Sequence, residues 1–262
     1  MNSVLKYPGA KNRLAKWILQ YIPEHEVYLE PFFGSGAIFF NKEPAKVETV
    51  NDLDSEIVNY FKVIRDYPSE LLQKIKMTPY ARDEYENAFI EDPADDNIEK
   101  ARKFIVRCYQ GFGCSNRYKN GFRSSQQKNS PQTAKLWDEF PEVITIASER
   151  LKRAQIENLP AIELINRYNT KDVFIYADPP YLHGTRKGYL YKHEMTNQEH
   201  VELLEALLKN PGKVLLSGYD SELYNAMLSG WNKVSKDTQV ENGLKRTEVL
   251  WMNYQPQMRM FF

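Results

Sequence analysis

Five apolar residues, Val173-Phe174-Ile175-Tyr176-Ala177, run directly into Asp178-Pro179-Pro180-Tyr181, and few folds accommodate that junction. β-Branched and aromatic residues without polar alternation are the composition of a strand covered on both faces, as in a parallel sheet flanked by helices. Neither proline can donate to a ladder, and each fixes φ at about −65°, so the strand stops at Asp178. An acid at a strand's carboxyl end, followed by a rigid turn with an aromatic ring, sits where open α/β sheets bind ligands. The carboxylate and the carbonyls flanking Pro179 are acceptors suited to a neutral amino group. The Tyr181 ring offers a face for a flat heterocycle.

Two glycine turns precede this junction. Lys6-Tyr7-Pro8-Gly9-Ala10-Lys11 leads into an amphipathic helix expected from about Asn12 to Tyr21. Val27-Tyr28-Leu29 reads as a strand, and Glu30-Pro31-Phe32-Phe33-Gly34-Ser35-Gly36-Ala37 as a turn that opens a helix. Paired glycines admit close backbone approach, and a helix N-terminus favours a carboxylate. The pattern is neither G-x-G-x-x-G nor a P-loop, which favours a carboxylate-bearing cofactor over a pyrophosphate. The next strand, Lys46 to Val50, ends in Asn51-Asp52, where doubly wound folds hold a ribose hydroxyl pair. Of Asp52 and Asp54, one is expected to cap the helix running to about Tyr67 and the other to face a ligand.

These motifs, taken in order, resemble the Dam-like (D12 class) DNA adenine-N6 methyltransferases. The resemblance covers most of the chain and is weakest between about Pro68 and Lys152. It implies S-adenosyl-L-methionine as cofactor and an α/β fold, a Rossmann-like methyltransferase core of residues 1–67 and 153–262. The insert, residues 68–152, is then a mainly helical target-recognition domain carrying a β-hairpin. By position, Tyr7, Lys11, Asp52 and Asp178 match residues that contact the cofactor in that family, and Gly34 and Gly36 match its methionine-binding loop, with Glu30 and Phe32 in the same motif. Where many relatives carry an acid near the cofactor adenine, this chain has Gln155-Ile156-Glu157-Asn158, and Asn158 is the candidate contact. The implied reaction is methyl transfer to the N6 amino group of an adenine flipped out of double-stranded DNA. Asp178 and the Pro179 carbonyl would accept from that amino group, and Tyr181 would stack on the base.

Charge distribution bears on the insert. Net charge is zero, yet no acid occurs from Ala101 to Lys135, while Arg102, Lys103, Arg107, Arg117, Lys119, Arg123, Lys128 and Lys135 all do. An acidic block from Asp83 to Glu99 precedes it. Leu71 to Glu99 is expected to be helical, continuing to Tyr109 as a basic amphipathic helix, with another helix from Asp138 to Arg153. Between them, Arg117-Tyr118-Lys119-Asn120-Gly121-Phe122-Arg123 centres on Asn-Gly, the strongest short hairpin signal. A two-residue turn there sets Lys119 opposite Phe122 and Tyr118 opposite Arg123, a ribbon that fits a major groove. Arg117, Tyr118, Lys119, Asn120 and Arg123 are its DNA-binding candidates. The loop from Leu182 to Met195 adds Arg186 and Lys187 beside the active site.

In the second half, Thr196 to Glu199 has the capping-box spacing, Lys213 to Ser217 reads as a buried strand, Asp220 to Leu228 as a helix, and Thr247 to Tyr254 as a late strand. No apolar run reaches membrane-span length, and two cysteines are too few for a disulfide scaffold, so a cytoplasmic setting is expected. The four histidines lack ligand spacing, and no metal is expected. Alternatives are cytosine-N4 methylation, where Ser in place of Asp178 is more usual, RNA or protein-glutamine methylation, and a non-catalytic DNA-binding module. A cognate restriction endonuclease is not deducible from these residues.

Overall fold

A computed structural model of the chain describes residues 4–113, 118–125, 132–185, 191–239 and 245–256. Among these, seven strands build one sheet: β1 (Val27–Glu30), β2 (Val47–Asn51), β3 (Ala154–Glu157), β4 (Val173–Ala177), β5 (Lys213–Tyr219), β6 (Asn232–Gln239) and β7 (Lys245–Met252). Their spatial order is β3-β2-β1-β4-β5-β7-β6. The first five run parallel, and β7 lies antiparallel between β5 and β6. β4 is buried at all five positions, as its unbroken apolar run demands.

Helices cover the sheet: α1 (Ala15–Leu19), α2 (Ser55–Asp66), α3 (Pro68–Met77), α4 (Arg82–Asn87), α5 (Asn97–Gln110), α6 (Thr133–Asp138), α7 (Phe140–Leu151), α8 (Ala161–Arg167), α9 (Asn197–Lys209) and α10 (Glu222–Met227). Strand alternation sorts the core into two faces. Tyr28, Phe174 and Tyr176 belong to one cluster with Phe61 of α2, Phe104 of α5 and Trp137 of α6. Leu29, Ile175 and Ala177 belong to the other, with Leu203 and Leu207 of α9. Helices of the insert therefore share a single apolar core with the sheet. Arg150 of α7 extends that link, pairing with the buried Glu48 of β2 through Nη2 at 2.7 Å and lying 3.8 Å over the Phe39 ring.

Several boundaries differ from expectation, each for a local reason. Residues 34–42 form successive turns in place of a helix; Asn41 Nδ2 folds back on the Ala37 carbonyl at 2.9 Å, and Pro44 follows closely. Pro79 and Pro93 divide the expected long helix into α3, α4 and α5. Lys11–Arg13 is a 3-10 turn, so the first α-helix is shorter than its periodicity implied. β6 has too polar a composition to read as a strand. The box at Thr196 and Glu199 is present in both directions and starts α9. No described helix is long and apolar enough to cross a membrane.

Candidate active site at the sheet reversal

Strand order reverses between β1 and β4, and an open cavity, about 910 Å³ with the solvent at its mouth included, lies at their carboxyl ends. Four separated segments converge there: Tyr7 to Lys11, Glu30 to Ser35, Asn51 to Asp54, and Asp178 with Pro180. A fifth, Tyr191 to Met195, closes one side, and its Tyr191 ring lies 6.0 Å from that of Tyr7. A Cβ on Gly9 would meet the Tyr191 hydroxyl at 2.1 Å, so the glycine lets this segment approach.

The turn after β1 needs its second glycine twice over. Gly36 has φ +67, and a Cβ there would stand 2.7 Å from both Phe33 and Phe40. Gly34, at φ +49, donates from its backbone N–H to Asp52 Oδ2 at 2.8 Å. Asp52 Oδ1 accepts from the Asp54 N–H at 2.9 Å, while Asp54 itself caps α2 through the Glu56 N–H. The pair thus divides as expected into a cap and a cavity residue. The Leu53 N–H is a third backbone partner of this carboxyl, which still lines the cavity. Burial pushes the Asp52 carboxyl up to about 6, against the backbone N–H groups of Asp54, Gly34 and Leu53 that lower it.

Asp178 closes the far wall. Its Oδ1 accepts from Ser217 Oγ at 2.7 Å, and its Oδ2 pairs with Lys11 Nζ at 2.9 Å. Burial alone would lower the Lys11 ammonium, but Asp178 and Glu248 outweigh it and keep the charge. Glu30, beneath the cavity, accepts from the Tyr28 hydroxyl at 2.6 Å, and burial pushes its carboxyl up to about 8. Phe32 lines the wall beside it.

Other expected residues are placed differently. Asn158 does not line the cavity: its Nδ2 donates to the Asp52 and Leu53 carbonyls at 2.7 and 3.3 Å, and its Oδ1 accepts from Ser55, so it braces the Asp52 loop from outside. Pro179 and Tyr181 are buried and also do not line the cavity. The Tyr181 ring lies 4.6 Å under Lys11 Nζ, and its hydroxyl donates to Glu248, so its face is not open to a base in this arrangement.

In the insert, Phe122 pairs with Gly111, not with Lys119. The Phe112 N–H donates to the Gly121 carbonyl at 2.9 Å and the Arg123 N–H to the Gln110 carbonyl at 2.7 Å, which makes a wider hairpin than Asn-Gly implied. Phe122 fixes that register by packing on Tyr80 and Tyr85 at 5.1 and 6.3 Å. Tyr118, Lys119 and Asn120 are exposed and Arg123 half-buried; Arg117, Arg186 and Lys187 lie outside the described residues. The acid-free stretch is also less positive than it reads. Arg102 pairs with Glu84 and Glu99, Lys103 with Asp95, and Arg107 with Glu56.

Three residues that periodicity did not single out complete the site. Buried Asn51 donates to the Pro31 and Leu159 carbonyls at 2.9 and 3.0 Å and accepts from the Leu159 N–H, stapling three strand ends. Ser217 and Glu248 reach the Asp178–Lys11 pair from β5 and β7. No cluster able to hold a metal occurs among the described residues.

The cavity suits a positively charged ligand with hydroxyls and flat apolar parts. Asp52, Asp54, Asp178, Glu194 and Glu199 line it against one lysine among the described residues, Lys11, and Tyr7, Phe32 and Ile38 supply apolar faces.

The family model described as D12 class N6 adenine-specific DNA methyltransferase matches residues 7–242. Over 276 residues the chain is 26% identical to the Type II methyltransferase M1.LlaDCHI of Lactococcus lactis subsp. cremoris, covering 95% of this chain and 94% of that protein. It is 25% identical over 292 residues to the Type II methyltransferase M.MjaIII of Methanocaldococcus jannaschii, covering 95% and 98%. It is also 25% identical over 185 residues to a DNA adenine methylase of Vibrio cholerae serotype O1, covering 68% and 64%.

Proposed function

This chain belongs to the D12 class of N6 adenine-specific DNA methyltransferases, and from that premise we propose how its residues divide the work. The observation that carries the reading is the convergence of Tyr7, Lys11, Gly34, Asp52 and Asp178, from segments far apart in sequence, on one acid-lined cavity. S-Adenosyl-L-methionine fits that lining: the acids would hold its sulfonium and ammonium, and Asp52 would hold its ribose hydroxyls. When bound, it supplies the methyl group, whose S–CH3 bond breaks toward sulfur as the N6–CH3 bond forms.

The chain's own residues orient the amino group. Asp178 and the Pro179 carbonyl accept its hydrogens, which turns the nitrogen lone pair toward the methyl carbon. N6 is a poor nucleophile through conjugation with the ring, so positioning carries much of the acceleration. Its proton becomes acidic once the new bond has formed and leaves by way of Asp178 to water. Tyr181 supplies a ring for the flipped base after Lys11 moves off its face. Asp178, in place of a serine, favours adenine over cytosine.

Residues 68–152 act as the target-recognition unit on double-stranded DNA, with the hairpin from Gln110 to Arg123 entering the major groove. Tyr118, Lys119, Asn120 and Arg123 are exposed or half-exposed there, which supports that use. Arg117, Arg186 and Lys187 are further candidates for DNA contact on sequence grounds. Likeness to two proteins named Type II methyltransferases supports the same methyl-transfer reading.

The test is incorporation of labelled methyl from S-adenosyl-L-methionine into duplex DNA by wild type and Asp178→Ala. A folded Asp178→Ala protein with no transfer is the expected result. Transfer near the wild-type rate overturns the assignment.

A further inference from the structure

Both oxygens of Asp178 are already engaged, by Ser217 at 2.7 Å and by Lys11 at 2.9 Å. An arriving amino group needs an acceptor aimed at it, and a carboxylate pinned by a buried ammonium is a weakened one. Lys11 Nζ has three hydrogens. The Gly9 carbonyl takes one at 3.0 Å and Asp178 another at 2.9 Å, while Glu248 Oε1 stands 3.5 Å away. That gap is too long for a good hydrogen bond and short enough to close without backbone movement. The Tyr181 hydroxyl donates to the same Glu248 oxygen and holds it in place.

We propose that Glu248 is a positioning residue for methyl transfer, a second acceptor that draws the Lys11 ammonium off Asp178 when the adenine amino group arrives. This rests on the reading of Asp178 as the amino-group acceptor. Nζ need only shorten its 3.5 Å approach to Glu248 to about the 2.9 Å it now keeps to Asp178. The buried cation then changes partner and is never without one, whereas losing its partner altogether would be costly. Glu248 sits on β7 beyond residue 242, where the family match ends. It is 3% exposed, and its partners at that depth are the two groups at issue, the Tyr181 hydroxyl and the Lys11 ammonium.

Glu248→Gln is the deciding variant. It keeps an acceptor for the Tyr181 hydroxyl and removes the charge that competes for Lys11. Single-turnover methyl transfer should fall about tenfold or more with preformed enzyme–cofactor–duplex complex, while cofactor and duplex Kd each change less than about threefold. Glu248→Asp, which restores the charge on a shorter arm, should recover part of the rate. A Glu248→Gln rate within about twofold of wild type overturns the proposal, as does a loss confined to Kd. If Glu248→Gln does not fold, Glu248→Asp carries the test. A reduced rate with intact Kd is then expected, and the full wild-type rate, or loss only in Kd, overturns it. Asp178→Ala measured alongside separates the two readings. Transfer by that variant removes the underlying assignment, whereas its inactivity together with an unimpaired Glu248→Gln removes only the role of Glu248.

Discussion

Cofactor binding should weaken as pH falls through about 6, because Asp52 must be ionised to accept from two ribose hydroxyls. The sign follows from where the proton sits. Burial raises this carboxyl from the ordinary range to about 6, so the free protein takes up a proton there as pH drops. A protonated Asp52 keeps its bonds from the Gly34 and Asp54 N–H groups but turns one oxygen into a donor. If only the ionised form binds, Kd rises by a factor of about 1 + 10^(6−pH), roughly tenfold between pH 8 and pH 5. Titration calorimetry with S-adenosyl-L-methionine across that range measures it directly. The same experiment in buffers of different ionisation enthalpy should detect release of about half a proton per cofactor at pH 6. Glu30, at about 8, titrates at the upper edge of this range and should leave a separate inflection. Asp52→Asn should bind more weakly than wild type at pH 8 and lose the dependence below pH 7. A wild-type Kd constant within about twofold from pH 8 to pH 5, or the same slope in Asp52→Asn, would refute the argument.

Gly36→Ala should cost about 2–4 kcal/mol of stability, from left-handed strain and its clash with Phe33 and Phe40, read as a lower denaturation midpoint. Tyr181→Phe removes the donor to buried Glu248 and should cost about 1–3 kcal/mol in chemical denaturation, where an unchanged midpoint would deny that bond any weight. Burial would raise Glu99, but bonds from Arg102 and Lys74 hold it down to about 2. A depressed carboxylate stabilises the fold above its ordinary range and loses that contribution as pH falls toward 2. Discounted for solvent, this is about 1–2 kcal/mol, and acid unfolding of Glu99→Gln should lack it. Arg123→Ala should relax preference at one base pair by about 1–3 kcal/mol if its side chain reads a base, whereas uniform weakening with a shallower salt slope would mark a phosphate contact.

Legibility in the sequence depended on how much each feature rests on its own neighbours. The β4 strand and its Asp-Pro-Pro end were readable because an apolar run and two prolines leave no local alternative. The division of labour between Asp52 and Asp54 was readable as a choice of two, since one cap is required. The short turns after Gly36 were not, because Phe33, Phe39 and Phe40 pack on one another and on Phe61, contacts that override a helical pattern. The hairpin register was missed because Phe122 answers to Tyr80 and Tyr85 and not to the Asn-Gly turn beside it. β6, an edge strand of Asn-Lys-Val-Ser-Lys-Asp-Thr-Gln, carries little apolar signal because only one of its sides is paired. Glu248 could not be singled out within its strand, since alternation says which face a side chain takes but not what a neighbouring segment puts there.

The continuous core between α2, α5 and α6, with Arg150 anchored on Glu48, has a consequence for protein engineering. Recognition units are tempting to exchange between related enzymes as cassettes, cut at Pro68 and Lys152. Here such a graft would sever Phe104 and Trp137 from Phe61 and leave Glu48 buried without its guanidinium. A working chimera would have to import the apolar face of α2 and the Glu48–Arg150 pair along with the donor's helices. New sequence preferences in this scaffold are therefore easier to reach by resurfacing the hairpin than by transplanting the unit that holds it.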